Sequence, residues 1–487
     1  MNILVAGASG YIGGRLVPRL VAAGHHVICL VRNPERLKGQ SWENVEIRQG
    51  NLLDPDSLHG VMQGAEVAYY LVHSMADGAR GFDVRDHIAA ENFGATAKAA
   101  SVQRIIYLGG LGECDKGISP HLNSRQHVGD VLRASGIPVT ELRAAIVIGS
   151  GSMSFEMIRY ITERLPIIFT PKWVDTLCQP IAIENVLDYL TESLIEPRSI
   201  GEIFEIGGPD VLTYGDIMLA FARARGLKRR LVPLPLLTSQ LSAYGADILT
   251  PLPISYIQVL IEGLKSEVVV RDQSAHKLFN VKLIPYATAL QQALQRTGQG
   301  EVETYWRGEK AGLLPGRTHK VIEGMFIEQR RLETVAEPEA VYNTLVGIGG
   351  KGGWYFADWL WQVRGLLDRF AGGPGMRRGR RSQVEMQPGE VLDGYRVETV
   401  EAGHLIRLRN EMKAPGPAWM QFEVNPRGGG GSIYIQTAFF EPHGLAGLAY
   451  WYGLYPFHQL IFDGLARAII KRAEAVGEGG IERFESG

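Results

Sequence analysis

The first fourteen residues constrain the fold of this chain most, because a short apolar run stops at three spaced glycines and resumes at helical spacing. Residues 3–6 are all apolar, which is typical of a parallel strand covered on both faces. Beyond the glycines, apolar residues recur every three or four positions until Gly24, a helix stop signal. These apolar positions are Ile12, Leu16, Val17 and Leu20. The segment therefore predicts a strand, a tight turn and a helix.

Three glycines lie at this strand-to-helix junction. Gly7 permits a sharp turn, Gly10 lets the backbone approach a pyrophosphate, and Gly13 lets the helix lie close to the sheet. The helix N-terminus offers free N–H groups and a positive dipole end to phosphate. The spacing, G-x-x-G-x-x-G, departs from the common G-x-G-x-x-G fingerprint, and a purely structural turn is the alternative. The predicted phosphate-binding residues are Gly7, Ser9, Gly10, Tyr11, Ile12 and Gly13.

Composition places the chain among ordinary globular proteins, with 487 residues, 45% of them hydrophobic and 21% charged. The net charge of −2 argues against a nucleic-acid partner. Cys29, Cys114 and Cys178 are too few and too scattered for a disulfide framework or a metal site, which fits a reducing compartment. The most apolar late stretch, residues 444–457, is too short to span a bilayer, and no secretory signal is recognised. We therefore expect a soluble, cytoplasmic protein without a metal ion.

Strand and helix patterns alternate through the first 150 residues. Helical patterns cover residues 83–100 and 121–135. Further strands are predicted at residues 27–31, 45–48, 67–72, 104–108 and 139–148. Strands separated by helices require right-handed crossovers, so the pattern predicts a doubly wound parallel sheet.

The glycine turn and this alternation resemble the start of an extended or atypical short-chain dehydrogenase/reductase, of the NAD(P)-binding NmrA-like and epimerase-like kind. Residues 179–187 and 204–214 look like two late landmarks of extended members, each a strand that leads into a helix. The resemblance implies a Rossmann-like α/β domain with a small substrate subdomain, which we place at residues 1–300. The leucine- and proline-rich residues 231–250 suit the wall of an apolar cleft and, equally, a packed helical subdomain.

The end of the second strand indicates the cofactor, because that position meets the 2′ position of the adenosine ribose. Arg32 and Asn33 stand there in place of an acid, and a guanidinium can pair with a 2′-phosphate. We therefore expect NADP(H), with NAD(H) as the less favoured cofactor and a solvated strand-end cation as the alternative reading of Arg32. By resemblance, the residues that line the adenine and the nicotinamide ribose are Asn51, Leu52, Leu71, Val72 and His73.

The catalytic residues of the family are missing from this chain. Short-chain reductases carry a serine or threonine after the fifth strand and a Tyr-x-x-x-Lys in the next helix, whereas residues 108–112 hold no hydroxyl. The resemblance places His121 at the tyrosine position and Arg125 at the lysine position, where Arg125 would also hold the ribose. Two readings stay open. His121 and Arg125 form a substitute acid pair, helped by His73 or His127, or the site binds NADPH without reducing anything.

A second domain is predicted at residues 321–487, after a polar, glycine-bearing linker at residues 301–320. Residues 325–332 and 432–440 alternate at period two, and residues 453–475 form a long helix with one apolar stripe. This order resembles the α+β helix-grip fold of START and polyketide-cyclase-like proteins, as in the uncharacterised domain of ybjT-type bacterial reductases. That fold implies a cavity for an apolar ligand.

Two features of the second domain have open interpretations. Its aromatic residues suit either a ligand cavity or an ordinary core: Trp354, Trp359, Trp361, Trp451 and Tyr452. The basic residues 376–381 suit either a solvated loop or a contact with phosphate, an anionic headgroup or a membrane surface.

Three functions follow from these features. The first is an NADP(H)-dependent oxidoreductase or isomerase that acts on a bulky apolar substrate with help from the second domain. The second is a non-catalytic NADPH-sensing regulator, and the third is a lipid carrier with a relic nucleotide fold. The glycine turn with Arg32 speaks against the third function, and the missing Tyr-x-x-x-Lys speaks against the first.

Overall fold

The computed structural model describes residues 1–37, 42–73, 81–112, 119–234, 254–298, 316–322, 324–376 and 386–484. The chain divides into two compact units, Met1–Gly312 and Leu313–Gly487. The expectations for Cys114, for residues 235–250 and for the arginines of residues 377–381 lie outside the described residues.

The strands of the N-terminal unit are β1 (Asn2–Ala6), β2 (His26–Val31), β3 (Val45–Gln49), β4 (Val67–Tyr70), β5 (Arg104–Gly110), β6 (Val139–Ala144), β7 (Val147–Ile148), β8 (Ile167–Thr170), β9 (Leu177–Cys178), β10 (Ile181–Ala182), β11 (Ile203–Ile206), β12 (Leu212–Thr213) and β13 (Arg230–Pro233). Its α-helices are α1 (Gly13–Ala22), α2 (Phe82–Ala99), α3 (Pro120–Ala134), α4 (Met153–Arg164), α5 (Ile183–Ile195), α6 (Tyr214–Ala224), α7 (Ile254–Gly263), α8 (Ser274–Leu278) and α9 (Tyr286–Gly298). Short 3₁₀ helices cover Pro34–Leu37, Pro55–Leu58, Lys172–Asp175 and Pro197–Ser199.

A seven-stranded sheet of order β11-β6-β5-β4-β1-β2-β3 forms the centre of this unit. Every neighbouring pair in it is parallel. The predicted doubly wound sheet is therefore confirmed. The strand predicted at residues 139–148 was wrong in its length, because β6 ends at Ala144 and β7 pairs instead with β10 outside the central sheet.

The central strand β1 is covered on both faces, as its continuous apolar sequence predicts. Ile3 and Val5 pack with α1 and α5 on one side, while Leu4 and Ala6 pack with α2 and α3 on the other. The four side chains have no exposed surface. Since β4 and β2 flank β1 on opposite sides, the chain reverses direction across the sheet at β1, where such folds bind their ligands at the strand carboxyl ends.

The C-terminal unit contains strands β14 (Gly316–Ile322), β15 (Met325–Thr334), β16 (Val391–Leu392), β17 (Tyr395–Glu401), β18 (Leu405–Asn410), β19 (Ala418–Pro426) and β20 (Ser432–Phe440). Its α-helices are α10 (Pro338–Val346), α11 (Asp358–Phe370) and α12 (Gly444–Phe484), and a 3₁₀ helix covers Gly350–Gly352.

These strands form an antiparallel sheet of order β14-β15-β20-β19-β18-β17-β16, against which the long α12 packs. The predicted α+β architecture with a closing helix is confirmed. Helix α12 begins at Gly444, before the predicted start at residue 453, and continues through Pro456. Strand β14 begins at Gly316, inside the predicted linker, because residues 316–322 pair with β15. Among the described residues, no helix combines the length and apolar character needed to cross a membrane.

The aromatic residues proposed for a ligand cavity do not share one environment. Trp354, Trp361 and Trp451 are buried, whereas Trp359 and Tyr452 are each about 60% exposed (64% and 59%). The two exposed rings therefore do not line the interior of the unit.

Candidate functional site

A cleft of about 370 Å³ opens at the carboxyl ends of β1, β4, β5 and β6. The glycine turn forms one side of it, and an apolar wall forms another. Its lining includes Gly7, Gly10, Tyr11, Ile12, Gly13, Leu71, His73, Leu108, Leu111, His121, Leu122, Arg125, Ile146, Met153, Tyr214, Leu260, Leu264 and Val268. The cleft thus brings together nine of the predicted cofactor-binding or catalytic residues.

The glycine turn requires glycine at two positions for separate reasons. Gly7 has φ +91°, and a Cβ there would lie 2.8 Å from the carbonyl oxygen of Leu71. At Gly13 a Cβ would collide with the carbonyl oxygen of Gly7, because the first turn of α1 lies directly on the loop. The backbone therefore forms a close cradle at the start of α1, whose preceding residue Ile12 gives no side-chain cap. A phosphate fits this cradle, since it accepts helix N-terminal N–H groups.

The residues predicted at the adenosine end lie away from the cleft. Arg32 and Asn33 are exposed directly after β2. Asn51 uses its side-chain oxygen to accept the N–H of Leu53 (3.2 Å), and Leu52 lies in the apolar core. Neither these residues nor Ser9 and Val72 line the cleft. Since β2 and β3 lie on the far side of β1 from β4, the arrangement suits an extended dinucleotide with adenosine at β2 and nicotinamide in the cleft.

Three side chains at the β4 side of the cleft form a hydrogen-bonded row, here named the triad: Asp86, His73 and His121. His73 Nδ1 donates to Asp86 Oδ2 at 2.8 Å, and His73 Nε2 lies 3.2 Å from His121 Nδ1. The two rings stack with centroids 4.9 Å apart. The Asp86 carboxylate is 1% exposed and also accepts from the Ser124 hydroxyl at 3.5 Å.

The hydrogen bonds fix how protons are distributed in the triad. An ionised Asp86 only accepts, so the proton of neutral His73 is on Nδ1 and its Nε2 accepts from His121 Nδ1. The ring nitrogen of His121 that remains outside this row is Nε2. His121 lines the cleft, so the triad presents a base to it in this state.

Burial determines the charge of the two rings. Burial, together with the neighbouring His73 and Arg125, lowers the pKa of His121 to about 3, so His121 is neutral at pH 7. Burial also lowers the pKa of His73, although the hydrogen bond to Asp86 acts in the opposite direction. When the triad gains a proton, the most favourable place for that proton is therefore His73, which becomes an imidazolium beside the Asp86 carboxylate.

Arg125 lines the cleft, but its guanidinium already donates hydrogen bonds to backbone carbonyl oxygens. Its guanidinium donates to the carbonyl oxygens of Val72 (3.3 Å) and Leu108, and lies 5.1 Å from the centroid of the Tyr107 ring. The Tyr107 hydroxyl in turn donates to the Arg125 carbonyl at 2.6 Å. Arg125 thereby joins the carboxyl ends of β4 and β5, and a ribose contact has to use its remaining N–H groups.

His127, the other histidine considered as a helper, lies elsewhere. It pairs with His87 on an exposed face between α2 and α3, with 3.1 Å between His127 Nε2 and His87 Nδ1. Of the two helpers, the structure therefore brings only His73 to His121. Among the described residues, no group of three or more His, Cys, Asp or Glu side chains is arranged to hold a metal ion.

The sequence analysis missed Asp86. The available signal was a charged residue on the buried side of α2, whose other buried positions are Phe82, Ala89, Ala90, Phe93, Gly94 and Ala97. A carboxylate on such a face needs partners, because burying an unpaired charge is costly.

Comparison with known proteins supports this assignment of the fold. Residues 7–152 match a family described as NAD(P)H-binding, and residues 324–465 match a family described as a protein of unknown function.

Two curated proteins are similar in sequence. Subunit 9 of the NADH dehydrogenase [ubiquinone] 1 alpha subcomplex from Arabidopsis thaliana mitochondria is 25% identical over 302 residues, which is 58% of this chain and 74% of that protein. Sterol demethylase protein B from Methylococcus capsulatus is 30% identical over 131 residues, 26% of this chain and 39% of that protein.

Among solved structures, the NADPH-dependent quinone oxidoreductase of Escherichia coli, complexed with NADPH, superposes with a TM-score of 0.50 at 18% identity. The match covers 59% of this chain and 98% of that one. The N-terminal unit therefore has the Rossmann-like fold of NAD(P)H-binding, epimerase-like atypical short-chain dehydrogenases/reductases.

Proposed function

We propose that the N-terminal unit binds NADP(H) and catalyses hydride transfer to or from a bulky apolar substrate held in the cleft. The observation that carries the proposal is the triad, which ends at the cleft that the glycine turn forms with an apolar wall. A relay ending at such a cleft suits proton transfer to an oxygen of the substrate. The E. coli structural neighbour, which is NADPH-dependent, supports the choice of cofactor.

The residues fit the cofactor at two places. The cradle at Gly7 and Gly13 admits a phosphate, and the exposed Arg32 after β2 suits a 2′-phosphate. When bound, NADPH supplies the hydride.

The triad supplies the proton that balances the hydride. In its protonated form, His73 is an imidazolium beside Asp86 and His121 is neutral with its proton on Nε2. As the substrate oxygen gains negative charge, His121 donates this proton and takes another from His73 at Nδ1. After the transfer both histidines are neutral and Asp86 stays ionised, so the triad has lost one positive charge. The positive charge is thus held by His73 until the transfer and then disappears, so His121 never has to carry it in the buried cleft.

The apolar wall excludes water and selects the substrate. Leu111, Leu122, Met153, Leu260 and Leu264 offer little to a polar molecule such as a nucleotide sugar, and suit a quinone, an enone or a sterol-like ring. The Methylococcus relative is named for a sterol reaction, which agrees with this substrate class.

The second candidate function is an NADPH-binding subunit or sensor without turnover. It is favoured by the missing Tyr-x-x-x-Lys and by the Arabidopsis relative, which is a subunit of a larger dehydrogenase. Under either function, it stays a prediction that the C-terminal unit is START-like and carries an apolar ligand.

The test compares two histidines of α3. His121→Ala should lower the rate of NADPH oxidation with quinone, enone or aldehyde acceptors by about 10²–10⁴, the contribution typical of a general acid. Cofactor affinity, measured by fluorescence titration, should change little. His127→Ala, on the exposed side of the same helix, is the matched control and should keep the full rate. NADPH binding without oxidation of any acceptor favours the sensor.

A further inference from the structure

The exposed side of helix α11 carries a continuous row of large apolar side chains. The row, here named the apolar face, consists of Trp359, Val363, Leu366, Leu367 and Phe370. Each of them is between 45% and 82% exposed. At 3.6 residues per turn they fall within an arc of roughly 100°.

The rotation of α11 is fixed by contacts on its other side. Trp361 is buried and stacks on Trp354 with ring centroids 4.5 Å apart. Asp368 is buried and accepts the backbone N–H groups of Gly375 (2.7 Å) and Lys413 (2.6 Å). The apolar face consequently points away from the core of the unit. Exposed apolar rows of this size mark interaction surfaces.

A second apolar surface lies on the first half of α12. Residues 444–462 contain no Asp, Glu, Lys or Arg, and the exposed large side chains there are Leu445, Tyr452, Phe457 and Leu460. Arg364 of α11 donates to the Tyr450 hydroxyl of α12 at 3.1 Å. The two helices are therefore neighbours, and both expose apolar side chains.

The charges near the apolar face are mainly basic. Arg364 and Arg369 lie on α11 itself, and Lys413 donates to a backbone carbonyl just after its C-terminal end at 2.8 Å. Asp358, at the start of the helix, accepts the Trp354 N–H at 2.6 Å. The sequence soon continues with four arginines in residues 377–381. An apolar row with Trp and Phe at its ends and cations beside it has the chemistry of a helix lying in an anionic membrane interface.

We propose that the apolar face of α11 docks the protein peripherally on an anionic lipid bilayer. Trp359, Leu366 and Phe370 enter the boundary between headgroups and acyl chains, while Arg369 contacts a lipid phosphate. The proposal does not depend on the cofactor or on turnover.

The test uses the full chain and large unilamellar vesicles of phosphatidylcholine, with or without phosphatidylglycerol. The wild type should sediment with the phosphatidylglycerol vesicles, less so at high salt, and hardly with phosphatidylcholine alone. Leu366→Gln/Phe370→Gln should lower the partition coefficient at least about tenfold, because two large apolar side chains are lost from the interface. Arg369→Gln should weaken binding only to the anionic vesicles.

The matched control is Val335→Gln/Ile195→Gln, which changes two apolar residues of similar exposure outside the apolar face and should bind like the wild type. Circular dichroism checks that each variant is folded. Equal sedimentation of the wild type and Leu366→Gln/Phe370→Gln overturns the proposal. A dimer in sedimentation velocity that this variant abolishes, without vesicle binding, also overturns it, because a second copy then covers the apolar face.

Discussion

Asp86 does not line the cleft and is hydrogen-bonded to it through His73, so its contribution can be separated from direct catalysis. Asp86→Asn keeps an oxygen that accepts from His73 Nδ1 but removes the charge that stabilises the imidazolium. We expect the reduction rate to fall by about tenfold or more. Asp83→Asn, on an exposed position of the same helix, is the control and should not change the rate.

The pH dependence of the reduction rate should also change in Asp86→Asn, and the direction of the change follows from the pKa of His73. The hydrogen bond to Asp86 raises the pKa of His73 against the larger lowering by burial. Without the carboxylate that pKa falls further, so the protonated triad exists only at lower pH. The loss of reduction rate with rising pH should therefore shift to lower pH in Asp86→Asn. An unshifted profile would show that Asp86 only supports the fold.

Arg32 determines the choice between the two nicotinamide cofactors in our proposal. Its exposed guanidinium follows β2, where the 2′-phosphate of NADP(H) would lie. Arg32→Ala should lower NADPH affinity by about tenfold and leave NADH affinity unchanged, measured by fluorescence titration. Arg198→Ala, a surface arginine near β11, is the control. Equal affinities of the wild type for both cofactors would contradict the assignment.

At the scale of single elements, the glycine turn offers a test with adjacent residues. Gly13→Ala would place a methyl against the Gly7 carbonyl and 2.9 Å from the Ala8 Cα, whereas at Gly14 the nearest atom is 3.6 Å away. Gly13→Ala should destabilise the fold by about 1–3 kcal/mol and weaken NADPH binding. Gly14→Ala should do neither. Thermal unfolding and cofactor titration measure both effects, and equal behaviour of the two variants would refute the close-approach role of Gly13.

The local elements could be predicted because their signals are local. The turn at residues 7–13, the strands β1 and β2 and the buried stripe of α12 follow from periodicity and glycine placement. The break between β6 and β7 could not, because it depends on β7 pairing with β10 about thirty residues further on. Likewise, β14 was taken as linker because its polar sequence becomes a strand only through pairing with β15.

The residues of the candidate site likewise fall into those that local sequence signals indicate and those that depend on contacts between distant elements. The glycine turn followed from glycine spacing, while His73 was assigned from its place after the fourth strand and His121 from the family resemblance; both line the cleft. The row linking them was not predictable, because Asp86 reaches His73 across a separation of thirteen residues and a change of element. Arg125 lines the cleft, but its bonds to Val72 and Leu108 could not be predicted, because they depend on how β4 and β5 end.

At the scale of the whole molecule, the two units use different architectures and separate cores. The main apolar cluster of the C-terminal unit contains only residues from 332 onwards, and a second cluster of the same unit contains Phe326, Phe440 and Trp451. A unit with its own core can fold alone. The sheet also ends within the unit, with β14 at one edge and β16 at the other.

We expect the stable C-terminal unit to begin before β14. A fragment of residues 313–487 keeps β14 and should show one cooperative urea transition by circular dichroism. A fragment of residues 324–487 begins where the family match begins, but it lacks β14 and exposes the edge of the ten-residue strand β15. Losing the backbone hydrogen bonds between β14 and β15 should lower the free energy of unfolding by about 3 kcal/mol or more and promote aggregation. If both fragments unfold at the same urea concentration, β14 contributes nothing to the unit. If neither unfolds cooperatively, the C-terminal unit depends on residues before 313 for its stability.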